Sequence, residues 1–191
     1  VLVVDVGSST TDVFSAIAAA DAPDGVRVWT TAEADLGMRP TATGIVTEGQ
    51  AEGVVDPVEA DLLGPAVHRL AEEPDFLPTD AGARAEDRRL AALASVLAVR
   101  RHLRVAGPAL AEAGIGLVVL TGGVFRQPEP DGLAAVRLTL RSDEGLRGML
   151  VDAPVAVDDG FALAPAGLLA ERGRTEAALT VLDAAIAPEG S

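Results

Sequence analysis

Residues 1–4, Val-Leu-Val-Val, form a continuous aliphatic run of the kind that lies in a sheet covered on both faces. Asp5 sits near the end of that run, and beyond it come Gly7, the four hydroxyls of Ser8, Ser9, Thr10 and Thr11, and a second carboxylate, Asp12. Gly7 permits a sharp turn, so the backbone N–H groups of residues 8–11 can converge on an anion with the hydroxyls as further donors. Asp5 or Asp12 is placed to hold a magnesium ion through water. A metal-bound phosphate suits this arrangement. A hairpin whose turn is simply rich in Gly, Ser and Thr satisfies the same residues.

The composition narrows the chemistry. A chain of 191 residues with 49% apolar content can bury one sizeable core. There is no cysteine, which excludes disulfides, thiolate zinc sites and cysteine nucleophiles and fits a cytoplasmic location. All 15 basic residues are arginine, so Schiff-base chemistry and a P-loop lysine are impossible. The net charge of −14 opposes nonspecific binding to nucleic acid or to an anionic membrane, while a nucleotide can still be held by backbone amides and magnesium. The strongly apolar stretch at 90–99 is followed by Arg100 and Arg101 and is too short to span a bilayer.

Along the chain, residues 1–6, 12–18 and 26–31 read as three strands with short links, hence an antiparallel meander. Residues 32–46 read as a loop. A helix over 56–71 has Asp56 as its cap and Pro57 at its first position, and 84–105 carries helical apolar spacing. Residues 115–120 form a second continuous apolar run, ending in Thr121, Gly122 and Gly123. Residues 133–140 read as helix, 149–157 as strand, and 162–171 and 175–186 as two helices, with Asp158 and Asp159 capping the first. Residues 188–191 read as a loose tail. The strand-helix alternation of the second half implies a parallel portion of sheet. His68 and His102 read as surface or partly buried helix residues, and no Ser, His and Asp triad follows from the sequence.

Residues 3–12 (Val-Val-Asp-Val-Gly-Ser-Ser-Thr-Thr-Asp) resemble a phosphate-binding motif of the actin, hexokinase and heat-shock chaperone superfamily, and Leu120-Thr121-Gly122-Gly123 resembles its adenosine motif. Within that superfamily the chain most resembles the MutL (GlmL) family associated with coenzyme B12-dependent glutamate mutase, unrelated to the mismatch-repair protein of that name. Glu33-Ala34-Asp35-Leu36-Gly37-Met38-Arg39, Thr121 to Arg126, and the region from Val151-Asp152 to Leu168-Leu169-Ala170 carry this likeness, which spans nearly the whole chain. Ser8 and Ser9 stand where family members often have glycine and alanine.

The resemblance implies an α/β, ribonuclease H-like lobe of an actin-like ATPase, with three antiparallel plus two parallel strands in a mixed sheet. It implies one unit over 1–191 with a helical insert at about 45–105, matching the second lobe of the superfamily. The superfamily's first phosphate motif is not in the chain, and the start at Val1 inside a core-like strand suggests that a first lobe lies upstream. The expected ligands are ATP and Mg2+. Gly7, Ser8, Ser9, Thr10 and Thr11 would contact the β and γ phosphates, Asp5 would order magnesium or the attacking water, and Thr121, Gly122 and Gly123 would approach the adenosine. Asp12 is a second magnesium candidate, a turn cap or a partner for an arginine. Arg126 is a candidate to stack on a base or reach a phosphate, and Glu33, Asp35 and Arg39 are candidates for a magnesium water or a lobe-closing contact.

The implied function is the ATP-binding lobe of a chaperone-like ATPase that maintains or reactivates a B12-dependent mutase. Alternatives are a small-molecule kinase of the same superfamily and a non-catalytic scaffold on the same fold. The isolated lobe is expected to hold phosphate without turnover.

Overall fold

A computed structural model describes residues 1–126, 130–150 and 152–186. Five strands form one mixed sheet: β1 (Leu2–Val6), β2 (Thr11–Ala18), β3 (Val26–Glu33), β4 (Val118–Thr121) and β5 (Val155–Val157), in the order β3-β2-β1-β4-β5. β1, β2 and β3 pair antiparallel, and β4 and β5 add in parallel beside β1. This is the α/β, ribonuclease H-like arrangement, three strands of meander followed by two of crossover.

Between β3 and β4 lie four helices, α1 (Ala42–Ala51), α2 (Pro57–Glu72), α3 (Ala81–Ala106) and α4 (Pro108–Ala113). α5 (Pro130–Ser142) and α6 (Arg147–Leu150) precede β5, and α7 (Leu163–Glu171) and α8 (Thr175–Ala185) follow it. The alternation of β1 buries Leu2, Val4 and Val6 on one face, where α3 crosses β1, β2 and β3. α3 in turn packs against α1, α2 and α5. Every residue of α3 from 90 to 99 is buried, because the sheet covers one side and helices the other.

The Asp56 cap is as the sequence reads, whereas α3 begins at Ala81, ahead of the expected 84, on a cap from Asp80. The Asp56 carboxylate accepts from the Glu59 N–H at 2.9 Å with Pro57 at the first position of α2, and Asp80 accepts from the Ala83 N–H at 2.9 Å at the start of α3.

Four sequence expectations need correction. Residues 32–46 are not all loop: β3 runs to Glu33, and α1 begins at Ala42 although its segment, Ala-Thr-Gly-Ile-Val-Thr-Glu-Gly-Gln-Ala, is poor in strong helix formers. Gly44 shows why, since a Cβ there would lie 2.0 Å from the Asp35 carbonyl oxygen. The segment 149–157 is strand only from Val155. Leu146 and Leu150 are buried one turn apart, so the chain there is helical, and Pro154 precedes the strand. The apolar run 115–120 enters the sheet only at Val118, and α4 precedes it. His102 is neither at the surface nor partly buried but fully enclosed. Val151 and residues 188–191 lie outside the described residues.

Candidate functional site

The site is assembled at the end of the sheet where β1, β4 and β5 finish. Asp5 pairs in register with Asp12 on β2 and with Thr121 on β4, and Asp158 follows β5 one step beyond the Leu120–Val157 pair. Asp12, Asp5, Thr121 and Asp158 therefore form a row across four neighbouring strand positions. Like charges directly opposite each other destabilise an antiparallel pair, so the Asp5–Asp12 juxtaposition costs the fold something. Burial first, then the negative charges of Asp12 and Asp158, push the Asp5 carboxyl above its ordinary range. No arginine among the described residues pairs with Asp5 or Asp12.

Asp158 has a separate structural task. It is 1% exposed, accepts from the Ala162 and Leu163 N–H groups at 2.6 and 3.1 Å, and receives the Thr121 hydroxyl at 3.4 Å. Its charge is thus held at the positive end of α7, as the sequence suggests for a cap.

The turn between β1 and β2 is closed by the Gly7 N–H donating to the Thr10 carbonyl at 2.9 Å. A Cβ on Gly7 would meet that same oxygen at 2.9 Å, which is the reason for glycine there. The Ser8 and Ser9 side chains are exposed, while the Thr10 hydroxyl donates to Asp12 at 3.1 Å. Thr11 departs from expectation: it is fully buried and spends its hydroxyl on the Leu36 carbonyl at 2.7 Å, so that group is not available to a ligand.

Thr11 is one of several ties between the turn and residues 36–39. The Met38 and Arg39 N–H groups donate to the Gly7 and Ser8 carbonyls at 3.0 and 2.8 Å, and a Cβ on Gly37 would lie 2.4 Å from the Ser9 carbonyl carbon. The Leu-Gly pair exists so that two backbone segments can lie against each other. Its flanking charges are engaged elsewhere. Glu33 and Asp35 accept from Arg101 of α3, and Arg39 pairs with the buried Asp87 at 2.9 Å. These are structural ion pairs, so Glu33 and Asp35 do not face the turn as free magnesium ligands.

The two glycines after β4 behave differently. Gly122 has φ of 121°, and a Cβ on it would lie 2.2 Å from the Val6 carbonyl oxygen, so it serves the close approach of two strand ends. Gly123 has open space where its Cβ would be. It shares a cavity of about 830 Å3 with Gly7, Ser8 and Arg126, within the size range of small-molecule sites. The opposite wall comes from the segment before α3 and its first turns, including Leu77, Arg84 and Arg88. Asp5 and Asp12 are not on that wall but lie at the base of the turn that forms it.

A protein-family model described as MutL protein matches residues 1–186. The chain belongs to the MutL family. Comparison with curated proteins and with solved structures finds no match. For this MutL-family chain the matched region takes in the Gly7 turn, the Leu-Gly segment and the glycines after β4 together.

Among the described residues no group of three or more His, Cys, Asp or Glu side chains is disposed to hold a metal ion. The donors at the turn are hard oxygens, two carboxylates and exposed hydroxyls, which fit a magnesium ion that brings most of its own shell as water and phosphate. No helix among the described residues is long and apolar enough to cross a membrane.

Sequence reasoning missed the helical side of this site. Asp87, Arg84 and Arg88 lie on α3 in a pattern that reads as an ordinary solvated helix start, and only the fold brings them opposite Gly7.

Proposed function

We propose that this chain is the ATP-binding lobe of a magnesium-dependent, chaperone-like ATPase that maintains or reactivates a B12-dependent glutamate mutase, acting together with a first lobe upstream. The observation that carries the nucleotide reading is the meeting of the Gly7-Ser8 turn and Gly123 on one cavity, with two uncompensated carboxylates at the base of that turn. Apart from the Thr10 hydroxyl on Asp12, no hydrogen bond or ion pair among the described residues answers that pair of charges, whereas a bound magnesium ion would.

In this reading Ser8, Ser9 and the backbone of the turn hold the β and γ phosphates. Asp5 and Asp12 orient magnesium-bound water, and the raised affinity of Asp5 for a proton suits it to accept one from the attacking water. Magnesium, when bound, neutralises charge developing on the phosphate oxygens. Gly123 lets the adenosine end lie against the backbone. The mutase partner rests on the family relationship and on the likeness of the sequence motifs.

Titration of the full-length protein with Mg-ATP, compared with Asp5→Ala and Thr10→Ala, tests the site. Hydrolysis should fall at least about 100-fold in Asp5→Ala, with a smaller loss in Thr10→Ala through release of Asp12. Unchanged affinity and hydrolysis in both variants would sink the assignment. Phosphate release that needs no acceptor and rises with mutase subunits supports the chaperone role. Dependence on a small hydroxyl compound would select a kinase instead.

A further inference from the structure

Phe161 is the one described residue other than glycine with a positive φ, at 54°. For a bulky side chain this is a costly conformation, and such outliers persist where the surroundings hold them and concentrate at ligand sites. The surroundings here are explicit. Asp158, buried beneath the loop, grips the N–H groups of Ala162 and Leu163, immediately after Phe161. A glycine, such as the neighbouring Gly160, would adopt the same backbone freely, so the chain retains an aromatic ring there against its conformational preference.

The ring's contact gives the reason. The Arg126 guanidinium lies over it, 5.2 Å from the centroid. Among the described residues that ring contact is the only interaction of the Arg126 side chain; no carboxylate pairs with it. Arg126 also lines the cavity beside Gly123 and Val124. The other arginine-carboxylate contacts near the site fix the protein to itself, as Arg39 does with Asp87. Arg126 is braced from one side by an aromatic ring and borders the cavity. A guanidinium is planar and stacks readily on π-systems, so a braced one bordering a cavity suits a flat, aromatic ligand group better than a point charge.

We propose that Phe161 is a positioning residue for base recognition: its left-handed backbone holds the ring beneath Arg126, and the braced guanidinium stacks on the purine base of the bound nucleotide. This rests on the nucleotide reading above and deepens it by naming the residue that positions Arg126, the base-stacking candidate of the sequence.

The substitution Phe161→Gly removes the ring while relieving the backbone, so a purely structural role and a binding role give opposite signatures. Calorimetric titrations of the full-length protein with Mg-ATP and with magnesium tripolyphosphate, which lacks the base, separate the two ends of the site. Expected for Phe161→Gly is a loss of ATP affinity of about fivefold, unchanged tripolyphosphate affinity, and an unfolding midpoint at or above that of the parent. Phe161→Tyr, which keeps a ring, should retain ATP affinity, and Arg126→Gln should reproduce the loss. Equal ATP affinity in Phe161→Gly and parent, or an equal fall for ATP and tripolyphosphate, would overturn the inference while leaving nucleotide binding in place. Failure of both ligands to bind the parent protein would remove the nucleotide reading and this inference with it.

Discussion

Two groups of carboxylates adjoin or lie within the segment 33–39, and the chain treats them in opposite ways. Glu33, Asp35, Glu48 and Glu52 all accept hydrogen bonds from Arg101, with Arg104 adding a second cation on Glu52. Asp5, Asp12 and Asp158 crowd one strand row with no arginine among them. The proton affinities follow. Burial pushes Glu52 up, but its hydrogen bonds to Arg104 and Arg101 outweigh that and hold it below the ordinary carboxylate range, whereas Asp5 is pushed above it. The same residue types thus tie a helix to a loop in one place and leave Asp5 without a cationic partner in the other. A chain with arginines to spare for Arg101-type pairing has left Asp5 without one, which is what a site completed by a bound cation requires.

The strongest way to break the comparison is to remove the compensating cation. Arg101 is 17% exposed, and its replacement by methionine strands Glu33, Asp35 and Glu48 and leaves Glu52 to Arg104 alone. Loss of one partner from a largely buried pair costs about 3 kcal/mol, and for a chain of this size that lowers the unfolding midpoint by about 6–12 °C. A shift of less than about 2 °C in Arg101→Met would mean that the cluster is merely decorative and that the contrast with Asp5 carries no weight.

Much of the Asp5 region was legible in the sequence and almost none of the Arg101 cluster. Val1 to Asp12 reads directly as strand, turn and strand, because alternation, a glycine and a carboxylate are local signals. The Arg101 cluster is not local. Its acids lie 49 to 68 residues away on β3, the following loop, α1 and the turn after it, and each looks like an ordinary solvated charge until α3 is laid across the sheet. Gly37 and Gly122 were visible as glycines, but what they make room for was not, since the backbone each one touches is about 28 and 116 residues distant, at Ser9 and Val6. The left-handed Phe161 has no sequence signature, because turn chemistry points to Gly160 for that conformation.

His102 sharpens the comparison by supplying a neutral polar tie next to Arg101. Its Nε2 meets the Ser15 hydroxyl at 2.8 Å and its Nδ1 the Thr31 hydroxyl at 3.0 Å, so α3 is pinned to β2 and β3 without any charge. Burial pushes the imidazole below its ordinary value of 6.5. The unfolded chain then binds the proton first as pH falls, so this tie contributes full stability above about 6.5 and loses it progressively below. The Glu52 tie behaves likewise but begins to weaken only as pH falls below its ordinary value of 4.5. Chemical denaturation at a series of pH values should show a decline starting near 6.5, and His102→Gln should remove that first decline while keeping the second. A parent stability flat from pH 7 to pH 5 would refute the assignment of His102 as a neutral core tie.

The smallest expected effect bears most directly on function. Because the fold raises the proton affinity of Asp5, keeping that carboxylate ionised at neutral pH opposes folding rather than supporting it. Asp5→Asn keeps the shape, removes the repulsion from Asp12 and Asp158, and should raise the unfolding midpoint of the ligand-free protein by about 2 °C. In the full-length protein the same change should abolish hydrolysis. Addition of magnesium nucleotide should raise the midpoint of the parent more than that of the variant, because the cation answers the charge the variant lacks. Had Asp5 been a structural carboxylate like Glu52, its replacement would instead lower the midpoint. The sign of this one small shift therefore decides whether the row at the end of β1 is a site or another fastening.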